Sequence, residues 1–114
     1  AGPTGEDIVF DLELPEERLT VRELIREHVY QLVDDYNHHI RAGDTPRIRG
    51  WIAPTEHHQE VDWRPCFERA IRAYESRGVL VLVGDRQTES LDEVIRVAPG
   101  VEVTFLRLVL LAGG

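Results

Sequence analysis

The chain is 114 residues long and carries 21 Asp and Glu against 13 basic residues, a formal net charge of −8. That length is one domain, and the acidic balance argues against non-specific nucleic-acid binding, which depends on neutralising phosphates with Lys and Arg. A single cysteine excludes an intramolecular disulfide framework, and no apolar run approaches the roughly 20 residues of a membrane span.

From the start, residues 1–7 have loop composition. Residues 8–14 alternate, with Ile8, Phe10, Leu12 and Leu14 on one face and Asp11 and Glu13 on the other, the pattern of a half-buried strand. Pro15 ends it. Thr20 and Glu23 have capping-box spacing. Behind them Val21, Leu24, Ile25, Val29, Leu32, Val33, Tyr36 and Ile40 keep a single apolar stripe at helical spacing. Gly43 stands where a left-handed C-cap needs glycine, so a helix is expected over about 21–41.

Residues 42–61 show no sustained period, although 47–52 have the composition of a short strand. A connection this long is often functional or inserted. A second helix is expected from Asp62, an N-cap residue, with Pro65 tolerated in the first turn. Its buried stripe would be Trp63, Cys66, Phe67, Ala70, Ile71 and Tyr74, and Gly78 would end it. Residues 79–83 form a continuous apolar run, expected as a strand covered on both faces. Residues 84–86 supply a turn, and 90–95 read as a short capped helical turn tucking Leu91 and Ile95 inward. After Pro99 and Gly100 comes a last strand from Val101 to Leu111, and Ala112 alone separates it from Gly113 and Gly114.

A terminal Gly-Gly reads either as a frayed chain end or as a slender arm. Glycine lacks Cβ, so such an arm threads a narrow slot and brings its carboxylate to a partner's catalytic atoms. Four extended residues after the strand reach roughly 13–14 Å. On the strand itself Val101, Val103 and Phe105 share one face and Leu106, Leu108 and Leu110 the other. An apolar face beside Arg107 and a flexible tail reads as a docking surface.

The succession strand, long helix, strand, helical turn, last strand and Gly-Gly resembles the ubiquitin-like β-grasp family. The likeness is best over residues 79–114, through Leu80 to Gln87, Ser90-Leu91-Asp92, and Val103 to Leu108 followed by Gly113 and Gly114. It is looser over 8–25. The resemblance implies an α+β fold, a mixed sheet packed on a long helix, with an inserted loop and second helix over about 42–77 and a flexible tail at 111–114. That insertion departs from ubiquitin and from the small sulfur carriers. So does the single clear strand before the first helix, where the family has a hairpin: residues 15–20 contribute a stub, a strand is missing, or the topology differs. Ala112 makes the tail closer to the sulfur carriers than to ubiquitin, which has a basic residue there.

The function implied is that of a modifier or sulfur carrier. An adenylating activating enzyme of the ThiF/MoeB-like kind would couple the Gly114 carboxylate to AMP, and a thiol would then take the acyl group. The chain would be substrate, not enzyme, and would need no cofactor. Gly113 and Gly114 are the conjugation residues so implied, with Leu106, Arg107, Leu108 and Leu110 for docking an activating enzyme or protein targets. The alternative is a β-grasp interaction module that is never conjugated. All thirteen basic residues are arginine. A lysine-free modifier could not build isopeptide chains on itself, and a GC-rich coding bias gives the same composition. No basic start followed by an apolar stretch is visible, so a monomeric cytoplasmic protein is expected, with no membrane or nucleic-acid partner.

Other constellations are weaker. Asp34/His38 and Asp35/His39 have i, i+4 spacing that suits metal ligation, with His28, His57, His58, Glu56 and Glu60 also near in sequence. Adjacent helical histidines, however, point about 100° apart, no spacing matches a zinc motif, and no metal is expected. Cys66 falls in phase with the apolar stripe and reads as a core thiol rather than a nucleophile.

Overall fold

The computed structural model describes residues 3–10, 17–46, 50–53, 56 and 58–110; the side chains of 3–10, 17, 109 and 110 lie outside that description. The order is β1 (Pro3–Phe10), β2 (Glu17–Thr20), α1 (Val21–Arg41), α2 (Trp63–Glu75), β3 (Val79–Val83), β4 (Arg86–Gln87), β5 (Val94–Val97) and β6 (Val103–Leu110). The fold is α+β. It divides into two compact units, one of Ala1–Leu24 with Ala73–Gly114 and one of Ile25–Arg72.

In the first unit a four-stranded sheet runs β1-β6-β3-β4, and β2 pairs with β5 in a separate two-stranded sheet. Every pairing among the described residues is antiparallel, which corrects the mixed sheet expected. Residues 3–7, expected as loop, extend β1 along β6 from Pro3↔Leu110 to Phe10↔Val103. A ladder of main-chain bonds tolerates residues that have no strand-like alternation.

Residues 17–20 are the stub strand, with Leu19 opposite Ile95 and both buried. The expected helical turn at 90–95 is only a turn at 91–92, closed by Glu93 N to Ser90 O at 3.2 Å, before β5 begins. β-Branched Val94, Ile95 and Val97 favour the pleated state once β2 offers a partner. The carbonyls of Leu91 and Glu93 accept from the amides of Arg22 and Val21, both at 3.0 Å. They thereby satisfy two of the donors that a helix start leaves orphaned.

α1 has the expected bounds. Thr20 Oγ1 accepts from Glu23 N at 3.1 Å while Thr20 N donates to Glu23 Oε1 at 3.3 Å, the reciprocal capping box. Val21, Leu24, Ile25, Val29, Leu32, Val33 and Tyr36 are buried. At its end Asp44 N donates to His39 O and Gly43 N to Ile40 O, with Gly43 at φ +80°. This is a Schellman cap with glycine in its left-handed position.

α2 starts as expected, with Asp62 Oδ1 accepting from Arg64 N at 3.2 Å. Of its stripe only Cys66 and Ala70 are fully buried, and Trp63, Phe67, Ile71 and Tyr74 are half-buried. In β3 the buried residues are Val79 and Val81, whereas Leu80, Leu82 and Val83 are half-buried. One face is therefore buried at Val79 and Val81 and the other is only partly covered, so the strand is not covered on both. Residues 50–52 are not a strand: Gly50 and Trp51 form a turn, and 47–49 lie outside the described residues. Trp51 and Ile52 are nonetheless buried.

Candidate functional site

Two regions merit a functional reading, the end of β6 and a cavity beside α1. β6 is an interior strand, flanked by β1 and β3. Opposite residues in an antiparallel pair share a face. Leu106 faces Leu80 and Thr104 faces Leu82, while Phe105 faces Val81 and Val103 faces Val83. Val103 and Phe105 are buried; Leu106, Arg107 and Leu108 are half-buried. Arg107 is opposite Val79, on the face away from Leu106 and Leu108. The strand so presents two leucines beside Leu80 and Leu82 on one surface, and Arg107 on the other. Leu108 N also donates to Gly78 O at 2.8 Å. Leu110 pairs through its backbone with Pro3; its side chain, the tail at 111–114, Gly113 and Gly114 lie outside the described residues.

In the second unit, Tyr30 on α1 and Trp63 at the start of α2 meet edge to face, with ring centroids 5.7 Å apart and planes at 76°. They line a cavity of about 190 Å³ together with Val33, Asp34, Asn37, Val61 and Asp62. The segment before α2 is held in place by Asn37. Its Nδ2 donates to Val61 O and its Oδ1 accepts from Val61 N, each at 2.9 Å. Guanidiniums already occupy the neighbourhood of the indole, with Arg26 Cζ at 5.8 Å and Arg64 Cζ at 5.5 Å from the ring centre. The apolar stripe of the second helix identifies Trp63 as a core residue only. Tyr30 lies outside the stripe and is 49 % exposed, and its meeting with Trp63 leaves no local signal in the sequence.

The first unit carries a larger groove of about 790 Å³, whose walls include Tyr74, Leu80, Leu91, Arg22, Arg77 and Gln87. Tyr74 Oη lies 2.9 Å from Thr88 Oγ1, and that hydroxyl also donates to Val81 O, which pins the groove floor. Arg22 is neutralised there by Asp92 at 3.7 Å.

The titratable groups read as structural. His28 is fully buried, and burial lowers its pKa to about 4. His39 pairs with Asp35 at 3.8 Å and Asp44 at 3.5 Å. His58 takes a left-handed backbone, φ 73°, and donates its amide to Tyr36 Oη. His57 lies outside the described residues. Among the described residues no three His, Cys, Asp or Glu side chains come together as a metal site. Cys66 is buried; burial pushes its thiol up, against an opposing hydrogen bond from Arg69 Nη2 at 3.2 Å. A thiol held protonated is a poor nucleophile. No described helix is long and apolar enough to cross a membrane. No family model, curated protein or solved structure matches the chain.

Proposed function

We propose that this protein is a ubiquitin-like carrier that acts through Gly113 and Gly114, as the substrate of an adenylating enzyme. The observation that carries the reading is the anchoring of the strand before the tail. β6 is hydrogen-bonded along β1 up to Leu110 and along β3 up to Arg107, and Leu111 to Gly114 follow it immediately. A slender arm rooted in an interior strand can enter a slot while its base stays fixed, which limits the entropy lost on docking. With Gly114 as the terminal residue, its carboxylate attacks the α-phosphorus of ATP and expels pyrophosphate. A thiol then displaces AMP from the acyl-adenylate. AMP is needed because hydroxide is a poor leaving group. A β-grasp arrangement of α1 against the sheet belongs to the same proposal.

The half-buried Leu80, Leu82, Leu106 and Leu108 favour a second reading, a binding module that is never conjugated. One experiment separates the two. The protein ending at Gly114 is incubated with adenylating enzymes and ATP, and its intact mass is followed beside a variant lacking Gly113 and Gly114. An AMP adduct or thioester on the full chain alone supports the carrier. An unmodified chain, or a native protein that continues past Gly114 without processing, rejects it. Partner capture that survives the deletion supports the module.

A further inference from the structure

We propose that the cavity between Tyr30 and Trp63 binds an alkylammonium group, the side-chain head of a lysine or methylated lysine on a basic partner. This proposal is independent of the carrier reading, since the cavity lies within the Ile25–Arg72 unit and uses no residue of β6.

Four observations converge. The two rings stand at 76° to one another and so give the cavity two aromatic walls at nearly a right angle. Their electron-rich faces attract cations, tryptophan most strongly. Two guanidiniums within 6 Å of the indole centre show that this ring already draws cations. The cavity, at about 190 Å³, has the space of about six liquid waters. That admits a compact nitrogen with its methyl substituents. Val33 and Val61 supply apolar surface for those methyls, and Asp34 and Asp62 supply negative charge. Asp62 already pairs with Arg64 at 3.3 Å, while Asp34 is in none of the ion pairs among the described residues.

The chemistry favours an ammonium over the other candidate occupants. A guanidinium is a flat fork suited to stacking or to bidentate pairing, whereas an ammonium is a compact point charge that fits an aromatic corner. An aliphatic side chain would fill the apolar part but bring the carboxylates out of water without compensation. Arg26 and Arg64 oppose an incoming cation, and the two lining carboxylates, Asp34 and Asp62, offset them. The net charge of −8 steers a basic partner toward the surface.

Because the chain has no lysine of its own, no internal ammonium competes for the site. The test uses the full-length protein and follows amide and indole N–H resonances by NMR. Four probes are titrated: tetramethylammonium, neutral tert-butanol, and otherwise identical short peptides bearing lysine or trimethyllysine. The expected result is a shift of the Trp63 indole signal by tetramethylammonium and by at least one peptide. Affinity should weaken with salt, fall at least about tenfold in Tyr30→Ala, fall several-fold in Asp34→Asn, and survive in Tyr30→Phe. Thermal melts of each variant separate loss of binding from loss of fold, and the stronger peptide fixes the methylation state. Equal binding of tert-butanol, binding indifferent to Tyr30→Ala and Asp34→Asn, binding of tetramethylammonium but of neither peptide, or no binding tighter than about 10 mM overturns the proposal.

Discussion

Arg69 donates from Nη2 to Glu56 Oε1 at 2.7 Å, and its Nε reaches Trp51 O at 2.9 Å. One guanidinium on α2 thereby ties down both ends of the 51–56 segment, whose return is closed by Glu56 Oε1 accepting from Ala53 N at 3.0 Å. Trp51 and Ile52 are 5 % exposed without belonging to a strand or helix. Their burial depends on such a tie, because an irregular backbone has no ladder to satisfy it. Charge-assisted hydrogen bonds are the stronger kind, but the pair keeps 33 % and 26 % side-chain exposure, so water discounts it. Arg69→Met is expected to cost about 2 kcal/mol in urea unfolding. Arg69→Lys should recover only part of that, since an ammonium lacks the fixed fork.

His28 gives the protein an acid-sensitive window. Its folded pKa is near 4 through burial, below an unfolded value of about 6.5, so the unfolded chain binds the proton first. Stability is therefore intact above about pH 6.5 and is lost progressively as pH falls toward 4. The full loss is roughly 3 kcal/mol. Glu93 acts in a lower window. The Glu89 amide, then Arg86, holds its carboxyl below the usual range despite opposing burial. Its contribution is present above the ordinary carboxylate pKa and is lost only as pH falls through the depressed value. Unfolding free energies at several pH values should show a slope between pH 6.5 and 4.5 that His28→Leu flattens. An unchanged slope in that variant would assign the window to other groups.

How much of this was legible in the sequence depends on whether the signal was local. The start of α1 was legible because Thr20 and Glu23 satisfy each other over three residues, and its end because Gly43 occupies the left-handed cap. β3 and β6 were legible as apolar runs. The pairing of β5 with β2 was not: Val94 to Val97 choose a strand because a ladder is available 77 residues earlier in the register Glu17↔Val97 to Thr20↔Val94, and no local pattern encodes that. Trp63 reads as a core residue in its helical stripe, yet it is half-buried against Tyr30, a contact between two helices that are not adjacent in sequence. The Arg69 tie is equally non-local. The tail and its glycines, which carry the functional reading, are known from sequence alone.

The two helices close with the same motif but different residues. In α2 Gly78 N donates to Ala73 O at 2.6 Å and Arg77 N to Tyr74 O at 3.1 Å, so the left-handed position falls on Arg77, at φ 62°. Gly78 sits one place beyond it, which moves the expected helix stop by a residue. A side chain in this conformation costs about 1 kcal/mol. Arg77→Gly is expected to stabilise the protein by about that amount, less the entropy a new glycine adds to the unfolded chain. Gly43→Ala, at φ +80° with open space around it, should destabilise by a similar amount. Paired chemical-denaturation curves check both; opposite signs are the expected outcome.

Asn37 is the chain's single asparagine, and it acts as a peptide mimic. Its carboxamide makes the two bonds to Val61 that a neighbouring strand would make, so the segment entering α2 is fixed two residues before Trp63. No isostere replaces both. Asn37→Asp keeps the acceptor for Val61 N but turns a carboxylate oxygen toward Val61 O, and Asn37→Ala removes both partners. The expected losses are about 2 kcal/mol for alanine, from two hydrogen bonds at about 1 kcal/mol each, and at least as much for aspartate at neutral pH. Hydrogen exchange at the Val61 amide reports the bond directly: it should accelerate strongly in the alanine variant and less in the aspartate variant, which retains the acceptor. If exchange at Val61 were unchanged in both, the amide would be protected by something other than Asn37, and the positioning of Trp63 would have to come from α2 alone.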